Sequence, residues 1–257
     1  MSKDKREKYL ILSDLHIPDQ NIKILDLMYE FIAYYKPDSL LLLGDFLNFT
    51  KISSYAQDPL YTENFSDEII QGRKVLNELS EVALKANTRC EIIYFQGNHE
   101  ERLGRYLASN ADQLASLTED GEYILSVPHL LGLKELNIKY LPYYKALTRH
   151  NVVFTHGHVI RSKAGYSAHA NIDKFGISGF SGHTHKLAHI SRTQRDITKF
   201  WVETGCLCNL KPTPRYTAFP DWANGFATCT FNNGKAYPQA VPIIKDSFIY
   251  DGKMFRE

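Results

Sequence analysis

The chain has 257 residues, enough to bury a sizeable core as one large domain or two small ones. Its 30 basic and 29 acidic side chains nearly cancel, so no global field draws it to nucleic acid or to an anionic membrane, and only a local basic patch remains open. The 44% apolar and 23% charged residues fit a folded soluble protein, and the polar start from Met1 to Lys8 and the lack of any long uncharged apolar run argue against a signal peptide or a membrane span and point to the cytoplasm.

Lys8 to Ser13 is a short apolar run that breaks at Asp14-Leu15-His16. Alternate residues of an extended segment project to one side, so Asp14 and His16 are expected to converge at the strand's end. From Lys23 to Tyr35 the residues Ile24, Leu27, Met28, Phe31 and Ile32 recur at helical spacing, and Lys36-Pro37 stops the helix. Ser39 to Leu43 is a continuous apolar run, of the kind buried on both faces of a sheet, and it ends in Gly44-Asp45. Strand, helix, strand, with an aspartate after each strand, is the α/β arrangement in which ligands bind at strand ends.

Asn48 to Thr62 reads as irregular, and Ser66 to Ala86 as a helix with Ile69, Ile70, Val75, Leu76, Leu79 and Val82 on one broad face. The strand Glu91 to Phe95 leads into Gln96-Gly97-Asn98-His99-Glu100, which by itself also reads as a turn opening a helix over Glu100 to Leu117. Between Gly121 and Tyr144, Val127-Pro128 is a break and Ile138 to Leu141 is a candidate strand. Asn151 to Thr155 is another buried-type strand, ending in His156-Gly157-His158. A short helix over Ala164 to Phe175 and the segment Gly176 to Ser181 precede Gly182-His183-Thr184-His185.

Beyond this point hairpins follow: Ala188 to Arg192 with Lys199 to Glu203 around Arg195-Asp196, and Ala227 to Phe231 with Lys235 to Tyr237 around Asn232-Asn233-Gly234. Asn-Gly marks such a turn because both central residues tolerate positive φ. With no repeat, linker or low-complexity tract, residues 1–257 are expected to form one domain, with a motif-bearing core over about 9–186 and a β-hairpin region over about 187–257. The four cysteines, Cys90, Cys206, Cys208 and Cys229, are too few and too uneven for a disulfide scaffold. Cys206-Leu207-Cys208 lacks the second pair a structural zinc site wants, so these read as ordinary reduced thiols.

Five apolar segments thus each stop at a metal-capable cluster: Asp14-Leu15-His16, Gly44-Asp45, Gly97-Asn98-His99-Glu100, His156-Gly157-His158 and Gly182-His183-Thr184-His185. Taken together and in this order, the clusters resemble the signature blocks of the calcineurin-like metallophosphoesterase superfamily, over about residues 9 to 186. The resemblance implies an α/β fold, a four-layer α/β/β/α sandwich of two mixed sheets flanked by helices, with a metal site at the carboxyl ends of the strands. It also implies a binuclear, metal-dependent phosphoesterase, in which a metal-bridging hydroxide attacks a phosphodiester or a phosphomonoester. Asp14, His16 and His185 would bind the first of two divalent ions, Asp45 would bridge both, and Asn98, His156 and His183 would complete the second. His99 would stand beside the scissile ester as the acid for the leaving oxygen. Mixed oxygen and nitrogen donors suit manganese first, with iron, zinc or nickel as alternatives.

Neighbouring residues carry two readings each. His158 is a supporting residue or a ligand, and Arg102, Arg161 and Lys186 are substrate-phosphate contacts or solvated surface charges. Glu100 and Glu101 are expected to favour the N-terminus of the following helix, and His129, His150, His169 and His189 to be ordinary surface or core histidines. Gly44-Asp45 runs into Phe46-Leu47-Asn48-Phe49, which departs from the phosphoprotein-phosphatase pattern and argues against a serine/threonine protein phosphatase. Residues 48–62 and 121–144 are expected to wall the substrate cleft. The substrate is a nucleotide, a nucleic acid or a small phosphate ester; Arg192, Arg195, Lys199, Lys211 and Arg215 are a candidate basic patch, and Tyr143, Tyr144, Phe219 and Trp222 candidate base-stacking residues. The opposing reading is a catalytically silent scaffold, which would ordinarily lack a ligand or the catalytic histidine.

Overall fold

The computed structural model describes residues 6–55, 62, 64–210 and 220–256. Strand β1 (Arg6–Leu12) leads through a loop to helix α1 (Ile22–Tyr35), which Asn21 caps by accepting from the Ile24 N–H at 3.3 Å. Strand β2 (Ser39–Leu42), helix α2 (Phe65–Ala86), strand β3 (Glu91–Phe95) and helix α3 (Glu101–Asn110) follow. The helix expected to reach Leu117 ends at Asn110, because Ala111 leaves helical geometry at φ −156° and a 3₁₀ turn takes over Asp112–Ser116. The segment 121–144 resolves into the end of a small hairpin, β4 (Thr118–Glu119) with β5 (Glu122–Tyr123), a short helix α4 (Val127–Leu131) with Pro128 in its first turn, and strand β6 (Lys139–Leu141).

Strand β7 (Leu147–Arg149), which periodicity did not announce, pairs antiparallel with β8 (Val152–Thr155). Helix α5 (Tyr166–Phe175), strand β9 (Ser178–Ser181) and the hairpin of β10 (Leu187–Gln194) with β11 (Ile197–Thr204) continue the chain. A second hairpin joins β12 (Gly225–Asn232) to β13 (Lys235–Pro242), with φ of 50° at Asn233 and 77° at Gly234, as an Asn-Gly turn requires. β13 runs on through Pro238 because it is an edge strand, where a missing N–H breaks no ladder. A last hairpin, β14 (Ser247–Tyr250) with β15 (Lys253–Arg256), falls inside the expected β-hairpin region, though no turn signal singles out its strands.

Two mixed sheets result. The first runs β13-β12-β1-β2-β3-β6 and the second β10-β11-β9-β8-β7. β1, β2, β3 and β6 are parallel to one another, so their carboxyl ends open on one edge, and β8 and β9 are parallel in the second sheet. Strand alternation sorts the core. Leu10, Leu12, Leu40, Leu42, Ile92 and Tyr94 are buried against Met28 and Phe31 of α1 and Leu76 and Leu79 of α2. Tyr9, Ile11, Leu41 and Ile93 join Val152, Phe154, Phe180 and Val202 of the other sheet. Val153 and Trp201 face Ala168 and Ile172 of α5. The three buried clusters are therefore helix on sheet, sheet on sheet and sheet on helix.

Candidate metal centre

β1 ends at Leu12, so Asp14 and His16 do not converge by strand alternation. Both adopt positive φ, 54° and 53°, and the loop that carries them is tied to the loop after β2: the Asp14 N–H donates to Gly44 O at 3.1 Å and the His16 N–H to Asp45 O at 3.0 Å. Asp45 is itself at φ 49°. Local backbone strain of this kind persists only where the surroundings hold it, and here adjacent parallel strands do so.

The seven residues expected as ligands come together. Asp14, His16, Asp45 and His185 form one group of convergent ligand atoms, and Asp45, His156 and His183 a second; within each group these atoms lie within 4.8 Å of one another. Asp45 is common to both. Asn98 joins the second group, its Oδ1 lying 2.9 Å from His156 Nε2. Asp14 and Asp45 are buried, and their carboxylates accept backbone N–H groups, Asp14 from His183 at 2.9 Å and Asp45 from His99 at 2.9 Å. Such bonds leave the other lone pairs pointing inward.

The tautomers follow from the partners. His156 Nδ1 lies 2.7 Å from the Leu43 carbonyl, which only accepts, so Nδ1 keeps its proton and Nε2, facing Asn98 Oδ1 and Asp45, is the nitrogen whose proton a cation would displace. His16 Nδ1 lies 3.1 Å from Asn48 Oδ1, by the same logic. His16 Nε2 then meets His185 Nε2 at 2.9 Å, with Asp14 Oδ1 3.3 Å from the latter. Lone pairs and carboxylates packed this closely repel unless a proton or a cation sits among them, and His183 Nδ1 is buried with no partner among the described residues. The donor set of carboxylate, imidazole and amide oxygen suits a transition-metal dication.

Charge in the site is set by the same neighbours. Burial and the approach of His185 push the His16 imidazole down to about 4. Burial and His156 do the same to His183, also to about 4. Burial opposes a charge on His156, yet the Asp45 carboxylate outweighs it and lifts that imidazole to about 9. Asp45 is itself held well below the ordinary carboxylate range, its burial overcome by His156 and His99.

His99 is buried with its ring edge-on to His16 at 4.4 Å between centroids. Its Nδ1 is 2.9 Å from Asn48 O, and Arg102 Nη2 donates to its Nε2 at 3.1 Å while Arg102 Nη1 donates to Asn48 O at 2.8 Å. The other flanking residues divide. His158 is exposed and pairs with the Tyr143 hydroxyl at 3.2 Å, outside both ligand groups. Arg161 is exposed and donates to the neighbouring Ile160 carbonyl. Lys186 is buried and pairs with Asp221, so it is not a free surface charge. Of the expected basic patch, Arg192 pairs with Asp173, while Lys211, Arg215 and Phe219 lie outside the described residues, as do 56–61 and 63 of the expected cleft wall 48–62. Trp222 packs edge-on against His185 at 4.3 Å.

Glu100 departs from expectation. It precedes α3 but makes no side-chain cap there; it is fully buried and turned inward. Its Oε1 accepts from Phe46 N at 2.6 Å, Leu47 N at 2.8 Å and the Tyr94 hydroxyl at 2.9 Å, and its Oε2 from Gly97 N at 2.7 Å and Asp45 N at 3.1 Å. Burial, and then the Asp45 charge, push its carboxyl up to about 7, while the backbone donors pull the other way. Two further glutamates turn inward to backbone donors with no mark in the sequence. Glu68 accepts from the N–H groups of Asn48 and Phe49, and Glu203 from Gly165 N at 2.6 Å and Thr184 Oγ1 at 2.8 Å. Close approach explains two glycines: a Cβ on Gly97 would lie 2.1 Å from Asp45 Oδ1, and one on Gly182 2.6 Å from Asp14 Oδ2.

Residues 7–187 match the family model for the calcineurin-like phosphoesterases. The chain is 26% identical over 263 residues to the Gene 54 protein of Mycobacterium phage D29, covering 97% of this chain and 98% of that one. It is 25% identical over 261 residues to the Gene 54 protein of Mycobacterium phage L5, with the same coverage of 97% and 98%. Among solved structures it is similar to vacuolar protein sorting 29 from Cryptosporidium parvum, with a TM-score of 0.47, 14% identity and coverage of 97% and 94%. It is also similar to Vps29 of Chaetomium thermophilum, with a TM-score of 0.41, 12% identity and coverage of 91% and 97%. No helix among the described residues is long and apolar enough to cross a membrane. The family match spans more than half of the chain and every one of the seven convergent residues: the chain belongs to the calcineurin-like phosphoesterase family.

Proposed function

We propose that this chain is a metal-dependent phosphoesterase that hydrolyses a phosphodiester of nucleotide or nucleic-acid type, or a phosphomonoester. The observation that carries the reading is Asp45, one buried carboxylate shared by two groups of ligand atoms. Asp14, His16 and His185 would hold one divalent ion, Asn98, His156 and His183 the other, and Asp45 both, with manganese as the first choice. A bound pair of such ions supplies positive charge at the phosphorus and acidifies a water for attack.

The chain's own part is positioning and proton transfer. Asn48 O holds the Nδ1 proton of His99, leaving Nε2 as the nitrogen that meets substrate. Nε2 must take a second proton to act as the acid for the leaving oxygen, and Arg102 must then release it while keeping its bond to Asn48 O. The complete donor set argues against a silent scaffold. Purified protein with manganese should hydrolyse bis-p-nitrophenyl phosphate or p-nitrophenyl phosphate, and Asp45→Ala or His99→Ala should lower that rate by about 100-fold or more. No hydrolysis of either ester, with both ions bound as measured by metal analysis, sinks the reading. Comparing the diester with the monoester, and then single-stranded DNA, RNA and cyclic nucleotides, separates the substrate classes.

A further inference from the structure

Cys206 and Cys208 stand on the turn after β11, and both thiols are buried. Their sulfurs and one ring nitrogen of His185 all lie within 4.8 Å of one another. His185 is 5% exposed, and its Nδ1 has no hydrogen-bond partner among the described residues. A buried nitrogen left without a partner costs the fold free energy unless a donor or a cation completes it.

The turn is built to hold the sulfurs in place. Asn224 Nδ2 donates to Cys208 O at 2.8 Å, to Cys206 O at 3.1 Å and towards Cys206 Sγ at 3.8 Å. The Cys206 thiol itself donates to Ala223 O at 3.6 Å, so without an ion it keeps its proton, and a bound metal would take the place of that proton. Leu207 N donates to Asp14 O at 3.1 Å, and Cys208 bridges to Gln20, so the turn and the Asp14 loop are one unit. Buried cysteines ordinarily pack as small apolar groups. An apolar pair would have no use for an amide donor on one side and an unpartnered imidazole on the other.

We propose that His185 Nδ1, Cys206 Sγ and Cys208 Sγ form a binding site for a thiophilic dication such as zinc, beside the carboxylate-rich groups around Asp45. On binding, each thiol gives its proton to solvent and its sulfur pair to the ion; His185 gives up its ring proton as well, so that as an imidazolate its Nδ1 makes the third bond while Nε2 keeps a lone pair for the carboxylate-rich centre. Two thiolates balance the charge of the dication, and the imidazolate charge is shared between the two sites. Two sulfurs and one imidazole leave a fourth position of the tetrahedron open. Because His185 also turns Nε2 towards Asp14 and His16, one ring joins this site to the carboxylate-rich centre.

The test uses the full chain, reduced, stripped with a chelator, loaded with manganese and given one equivalent of zinc. Zinc-edge X-ray absorption should show two sulfur neighbours at ~2.3 Å. Manganese paramagnetic resonance on the same sample reports the carboxylate-rich site separately, so failure of one site is distinguishable from failure of the other. A zinc shell of nitrogen and oxygen only, in the wild-type protein, overturns the proposal whatever the protein hydrolyses. Cys206→Ser and Cys208→Ser should each reduce the shell to one sulfur; two sulfurs in either variant also overturn it. Cobalt in place of zinc should give a thiolate charge-transfer band in the wild-type protein, and its absence counts against the site.

Discussion

Replacing Glu100 by glutamine tests whether the buried carboxylate, and not the metal, holds the Asp45 loop in shape. The carboxylate takes five donors, three on Oε1 and two on Oε2. Glutamine keeps the volume but one terminus becomes an NH2, which cannot accept. The less damaging orientation puts that group where Oε2 was, facing the N–H groups of Asp45 and Gly97. Depriving a buried donor of its acceptor costs about 1–3 kcal/mol, so the pair costs about 2–6 kcal/mol before relaxation. Against a typical stability of about 5–15 kcal/mol this is a large share. The assay is urea unfolding in the presence of a chelator, followed by manganese titration of the folded variant. The midpoint should fall with little change in slope, and manganese affinity should weaken because both affected N–H groups belong to the residues that frame Asp45. A Glu100→Gln protein within about 0.5 kcal/mol of wild type, with unchanged manganese affinity, would refute the reasoning.

Arg102→Lys should lower kcat by ~10–100-fold with little loss of manganese, since an ammonium cannot span Asn48 O and His99 Nε2 as the guanidinium does; an unchanged kcat counts against a role in placing His99. Gly97→Ala should weaken manganese binding by ~10–100-fold, because its Cβ falls 2.1 Å from Asp45 Oδ1 and overpacking of this kind costs about 1–3 kcal/mol; calorimetric titration reads the change. Glu68 gives a pH dependence. Burial raises its carboxyl to about 8 from an ordinary 4.5, so the folded protein keeps a proton that the unfolded chain has released. That contribution is complete below the ordinary value and is lost as pH rises towards 8, at about 1.4 kcal/mol per pH unit at most. Glu68→Gln removes the slope, so the variant should gain stability relative to wild type between pH 5 and pH 8 in chelator, and parallel urea midpoints across that range would contradict the assignment.

The parts of this fold that could be read from sequence are those with local causes. Runs such as Leu40 to Leu43 and Val152 to Thr155 have no polar face to give to water, and they are central strands. Asn232-Asn233-Gly234 carries its turn in its own backbone preferences. Strand β7 and the β14–β15 hairpin have no such mark: Leu147-Thr148-Arg149 is three residues long and finds its edge only because β8 is already there. Asp14 and His16 meet through left-handed backbone and a neighbouring loop, which strand alternation does not foretell.

Glu100 and the thiol pair show where local reading ends. A glutamate after Asn-His and before a helix looks like a charge placed for the helix dipole, and nothing within four residues says otherwise. Its donors Asp45, Phe46 and Leu47 lie more than 50 residues away and meet it only because β2 and β3 are neighbours in one sheet. Cys206-Leu207-Cys208 likewise looks incomplete until the fold brings a ring nitrogen of His185, from before the β10–β11 hairpin, within 4.8 Å of both sulfurs. The tautomers have the same origin. Leu43 O, at the end of β2, holds the Nδ1 proton of His156 and so decides that Nε2 faces Asp45. Side-chain identity at the centre is thus a sequence property, but the direction in which each lone pair points is a property of the sheet order.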